Sequence, residues 1–204
     1  TDRTFLEIEE IHKIQHLKLR ARNPLYDARE VFLFECYTGI RISDILTLKW
    51  KHITDEKISI RMRKTEKLLS IPINDYVRAV LDRRRCAVEN NGGKITSEKY
   101  VFNILKVDVD EVSAQDALNA ISSATAVINK QLKKIAKKTG IDKNLSTHCA
   151  RHSYATALLT NNIPLPVIKE MLGHSDIKVT QIYAKVVDSK RNEVVECLNK
   201  VYHG

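Results

Sequence analysis

Lys57-Ile-Ser-Ile-Arg-Met-Arg-Lys-Thr-Glu-Lys-Leu-Leu-Ser-Ile-Pro-Ile73 is where the helical periodicity of this chain breaks. Ile58, Ile60 and Met62 alternate with Ser59, Arg61 and Arg63, and after a polar tip Leu69, Ile71 and Ile73 alternate again. Alternation of period two marks half-buried strands, so the stretch predicts an antiparallel hairpin with Lys64-Thr65-Glu66-Lys67 at or near its turn. Everything around it reads as helix.

Upstream, Thr4-Phe-Leu-Glu7 has the pattern of a capping box, with Leu6, Ile11, Ile14 and Leu17 following at helical spacing. A second helix is predicted from Leu25 to Tyr37, stopped by Gly39, and Ser43 is expected to cap a short turn ending near Trp50. Downstream, Asn74 is a cap for a helix to about Glu89, ended by Asn90-Asn-Gly-Gly93. Ser113 to Lys138 reads as one long helix before Gly140, Thr147 caps a helix reaching Thr160, and Pro164 opens another that stops at Gly173. A last amphipathic helix is predicted from Lys190 to Val201. The expected class is mainly α with a small antiparallel β-sheet (α+β), in a single domain over 1–204.

The chain has 204 residues, 43% of them hydrophobic, enough to bury a core and too many for a disordered segment. No apolar run approaches the roughly 20 residues of a membrane-spanning helix, and the N-terminus has no signal-peptide core. A cytoplasmic protein is therefore expected. Cys36, Cys86, Cys149 and Cys197 form no Cys-x-x-Cys pair, so they read as reduced, semi-buried small hydrophobes rather than zinc ligands or disulfides. Position 1 is Thr, which reads as a processed chain or an excised fragment.

Lys and Arg number 34 against 25 Asp and Glu, a net charge of +9. The surplus sits in two blocks, residues 61–100 and 131–151, while residues 1–60 cancel. Clustered cations gain by releasing counterions condensed on a polyanion, which raises a nucleic-acid partner beside the alternative of solvated helix faces.

Three polar groupings stand out. Arg41 in Thr38-Gly-Ile-Arg41 is followed three residues later by Asp44, an acid spaced to orient the guanidinium. His148 and Arg151 share a helix face, pairing a proton carrier with a phosphate-binding fork. His174 follows Gly173 at a helix terminus, and Tyr183 comes nine residues later. Singly, each has an ordinary reading: a surface ion pair, a helix-surface pair, an exposed corner, a boundary tyrosine; Lys64 alone is an edge lysine.

Together, in this order, they resemble the catalytic domain of the tyrosine recombinases, the phage integrase family. Thr38 to Trp50 is similar to the family's first arginine box, Thr147 to Thr156 to its second, and Leu172-Gly-His-Ser-Asp with Thr180-Gln-Ile-Tyr183 to its third. The resemblance runs from about Thr4 to Arg191, and the texture looks most like integrases of Bacteroides-type mobile elements.

What the resemblance implies is a site-specific recombinase or integrase catalytic domain that cuts and rejoins DNA through a 3′-phosphotyrosyl intermediate. Tyr183 would be the nucleophile, Arg41 and Arg151 the phosphate clamp, Lys64 the general acid, and His148 the base or phosphate contact. His174 would hydrogen-bond the scissile phosphate, and Asp44 would hold the first box in place. No cofactor, metal or ATP is expected. The partners implied are double-stranded DNA and a homotetramer on it, with a monomer expected in isolation. The N-terminal core-binding domain usual in the family is expected to be absent from this chain. An inactive DNA-binding module of the same fold and a type IB topoisomerase-like nick-and-reseal enzyme are the alternatives; the complete residue set and the integrase-like boxes disfavour them.

Overall fold

The computed structural model describes residues 4–20 and 23–173. Two compact units divide the chain, residues 1–154 and 155–204.

The first unit is built around α2 (Pro24–Thr38), which has Asn23 Oδ1 accepting the Leu25 amide at 2.9 Å, Pro24 at its start and Gly39 in the left-handed region at its end, φ 65°. Val31, Phe32, Leu33 and Phe34 are successive and fully buried. A helix apolar on every side must sit at the centre of its domain. Accordingly α1 (Ile8–Gln15), α3 (Ile42–Leu46), α4 (Asp75–Asn90) and α5 (Ala114–Thr139) all pack on it. Phe34 meets Phe102 edge to face at 5.2 Å between centroids.

The hairpin forms where alternation predicted it. β1 (Lys57–Arg61) pairs antiparallel with β2 (Leu68–Pro72), Ile58 opposite Ile71 and Ile60 opposite Leu69, and all four side chains are buried with Met62. The tip closes by Met62 N–H to Lys67 O at 2.9 Å, Glu66 N–H to Met62 O at 2.9 Å and the Arg61 guanidinium to Glu66 O at 2.7 Å. Those bonds hold Glu66 at φ 55°, a conformation that costs a non-glycine residue energy.

Asn74 caps α4 through its side chain, as read from sequence; Ser113, read as the first residue of the long helix, is the side-chain cap of α5, and Gly140 ends that helix in the left-handed region. Three boundaries differ. Helix α1 begins at Ile8, and the capping bond runs from Glu7 N–H to Glu10 Oε2 at 2.8 Å, because Leu6 N–H is taken by Ser153 Oγ from 147 residues away. Ser43 lies inside α3, which starts straight after Arg41, and a separate single turn of 3-10 helix covers Trp50–His52. Helix α6 (Thr147–Thr160) has Ser146 Oγ on the Cys149 amide at 3.3 Å, while the Thr147 amide is held by Asn129 Oδ1 at 3.0 Å. Cys36 and Cys149 are buried, but Cys86 is exposed on the solvent side of α4.

In the second unit, α6 ends with Asn162 at φ 61° and the Ile163 amide bonded to Leu158 O at 3.0 Å. Pro164 then opens α7 (Leu165–Met171), and Gly173 follows at φ 59°. The predicted helix 190–201 lies outside the described residues.

Candidate active site

Gly39 is the pivot of the site in the first unit. Its left-handed turn releases the chain from α2 and starts α3 with Arg41 at its N-terminal cap position. Arg41 is half-buried, and its Nη1 lies 3.2 Å from Met62 Sδ at the hairpin tip. One turn on, Asp44 is buried, and its Oδ1 accepts the Arg63 amide at 2.9 Å. Helix α3 thus grips two consecutive tip residues, Met62 and Arg63, immediately before Lys64.

Spacing suggested that Asp44 orients Arg41; its Oδ1 accepts the backbone amide of Arg63 in the hairpin. The reason is reach: Asp44, buried in the first turn of α3, lies within hydrogen-bond distance of the Arg63 amide, a tip donor that needs an acceptor. Burial raises the Asp44 carboxyl, against which the Arg63 amide and the charges of Arg41, Arg151 and Arg63 pull down. Two arginines from distant boxes therefore act on one carboxyl.

Arg151 projects from α6 and is buried, with its Nη1 donating to the Gly39 carbonyl. His148, one turn earlier, is exposed and lines an open pocket of about 400 Å³ with Thr4, Ser146 and His152. Lys64 is exposed at the tip and, among the described residues, makes no hydrogen bond to Arg41, His148 or Arg151. Of the cations in the two basic blocks, Arg61, Arg63, Lys64 and Lys67 on the hairpin and Lys133, Lys134, Lys137 and Lys138 on α5 are exposed, while Arg84 and Arg151 are buried. His174 and Tyr183 lie outside the described residues. Among the described residues, no cluster of three or more His, Cys, Asp or Glu is placed to hold a metal ion.

Sequence reading missed three contributors. The Gly39 carbonyl bonds Arg151 across 112 residues, a pairing no local pattern encodes. Lys49 is buried with its ammonium between Asp108 (3.2 Å) and Asp110 (2.7 Å), and Tyr100 donates to Asp108 at 2.7 Å. Glu35 sits fully inside α2's buried surface, where an acid amid Phe-Leu-Phe was the available signal.

This architecture is that of the tyrosine-recombinase catalytic domains. A crystal structure of XerH site-specific recombinase bound to a palindromic difH substrate, a post-cleavage complex, superposes with a TM-score of 0.68 at 22% identity, covering 96% of this chain and 53% of that one. The catalytic domain of bacteriophage HP1 integrase superposes with a TM-score of 0.59 at 23% identity, covering 95% and 94%. The chain belongs to the phage integrase family, which it matches over residues 4–190. Tyrosine recombinase XerD of Listeria monocytogenes serotype 4b is 48% identical over 160 residues, 77% of this chain and 49% of the relative. The chain spans about half the length of most of the curated relatives it matches.

Proposed function

We propose that this chain is the catalytic domain of a site-specific DNA recombinase or integrase, acting on double-stranded DNA as a homotetramer. One observation carries the reading: Arg151 donates to the carbonyl of Gly39, two residues before Arg41 and 112 residues away in the chain, while Asp44, in the first turn of the helix that Arg41 caps, tethers the tip bearing Lys64. Paired arginines with a nearby mobile-proton group suit a phosphodiester whose non-bridging oxygens gain charge in the transition state.

In this reading Tyr183 Oη attacks the scissile phosphorus, the Oη–P bond forms and the P–O5′ bond breaks. The phenol, which ionises near pH 10 when free, gives its proton to His148 or to solvent through it. Arg41 and Arg151 hold the non-bridging oxygens, His174 donates a hydrogen bond to one of them, and Lys64 protonates the departing O5′. The product ester keeps the energy of the broken linkage, so a 5′-hydroxyl of a second duplex can reverse the step without ATP.

Nicked duplexes with a randomised core, incubated with the protein and resolved in SDS, test this directly. Tyr183→Phe should abolish the denaturant-resistant protein–DNA adduct that the unsubstituted protein forms. An adduct that survives this substitution refutes the nucleophile assignment. Relaxation of supercoiled plasmids irrespective of their sequence would instead favour a topoisomerase.

A further inference from the structure

Between Glu10 and Asp27 the sequence has no acid, while Lys13, Lys18, Arg20 and Arg22 fall in that stretch. His16, Lys18 and Arg20, just after α1, line an open pocket of about 490 Å³ together with Arg29 of α2 and Arg83 of α4. The two α-helical arginines share a carboxylate. Glu30, fully buried, accepts from Arg29 Nε at 3.0 Å on Oε1 and from Arg83 Nε at 2.9 Å on Oε2. Arg29, itself buried, also donates through Nη1 to the Leu17 carbonyl, which ties the loop after α1 to α2. Two guanidiniums on one carboxylate leave one positive charge over, and Lys18 and Arg20 add two more, neither in an ion pair among the described residues. A buried Arg–Glu–Arg triad is often no more stable than an apolar cluster of the same volume, so stability alone does not account for it.

We propose that this pocket is a second anion site, which takes a phosphate group away from the catalytic residues: Arg83, Lys18 and Arg20 bind it, and Arg29 with Glu30 holds them in place. Arg83 spends its Nε on Glu30, neither of its Nη atoms donates to a described residue, and its side chain is 36% exposed. A guanidinium fork beside an ammonium, with no acid among the described residues lining the pocket, suits phosphate oxygens. Arg29 stands nine residues before α2 ends at Thr38, about 14 Å along the axis at roughly 1.5 Å per residue. The phosphate bound there is therefore a different one from that assigned to Arg41, which follows the end of α2. A DNA strand running past the active site and a soluble phosphate ester share this chemistry, and the experiment separates them. The inference stands apart from the recombinase reading, since it uses none of the residues assigned to cleavage.

The test measures binding of the full chain to random-sequence duplexes over a series of salt concentrations. Arg83→Gln should flatten the slope of log affinity against log salt by about 1, and Lys18→Gln with Arg20→Gln by about 2, equally on every sequence. The second pair is exposed and touches neither Glu30 nor Arg29, so it carries the test if Arg83→Gln does not fold. In parallel, inorganic pyrophosphate is added at constant ionic strength and the urea midpoint is read. Flattened slopes identify the phosphate as that of DNA. Unchanged slopes, with a midpoint that pyrophosphate raises in the parent and not in the variants, identify a soluble ester. Parent-like slopes together with a parent-like response to pyrophosphate in the variants overturn the proposal. Covalent linkage through Tyr183 is scored separately, and its failure refutes the recombinase reading while leaving the salt slopes to report on the pocket.

Discussion

Asp44 Oδ1 accepts the backbone amide of Arg63 at 2.9 Å, joining the first arginine box to the hairpin tip one residue before Lys64. The bond makes Asp44 a tether for the segment that carries the proposed general acid. Met62, fully buried one residue earlier, lies against the Arg41 guanidinium and fixes the same turn from below.

Asp44→Ala should therefore act through Lys64. Loss of the acceptor strands a tip amide, which costs about 1–3 kcal/mol of stability by urea denaturation. Cleavage should slow further than stability explains, and a duplex with a sulfur at the bridging 5′ position should recover most of the lost rate. A thiolate leaves without a proton, so it bypasses a misplaced general acid.

Lys64→Ala should show the same signature more strongly, with a loss of about 100-fold or more on the ordinary phosphodiester. Single-turnover rates on the oxygen and sulfur duplexes measure it. Equal losses on both would mean that Lys64 binds DNA rather than donating a proton.

Stability should fall as pH rises out of the acid range. Glu35 and Asp44 both have carboxyls raised by burial, so the folded state holds protons that the unfolded chain releases near pH 4. More protons bound to the folded state means unfolding free energy declines with pH, from about pH 4 up to the raised folded values, and is level beyond them. Urea midpoints should drop across that window, and Glu35→Gln should flatten the slope.

Lys49→Met should lower unfolding free energy by about 2 kcal/mol. The substitution keeps the apolar stem and removes the ammonium between Asp108 and Asp110, both partly solvated, so the loss is smaller than for a fully buried pair. The Tyr100 phenol, already pushed up to about 12 by burial and by Asp108, should titrate still higher without the nearby cation, which absorbance at alkaline pH would report.

The chain's local text determined its elements. Alternation in residues 57–73 specified the hairpin and its buried face, Asn74 and Ser113 specified two helix starts, and Gly39, Gly140 and Gly173 specified turns that need positive φ. The order of the three boxes also named the residue types of the site. These features are legible because each is set by neighbours within a few positions. Where a distant group competed, local reading slipped: Ser153 takes the Leu6 amide and moves the start of α1 to Ile8.

Only tertiary structure decided who partners whom. It paired Asp44 with the Arg63 amide rather than leaving it as a local partner for Arg41 alone, and Arg151 with the Gly39 carbonyl. It also buried Glu35 within the packing of α2, with no hydrogen-bond partner for its Oε2 among the described residues. Burial and long-range hydrogen bonding carry no periodic signature, so the sequence names the candidate catalytic groups while the packing around α2 decides which of them are buried and which groups they bond.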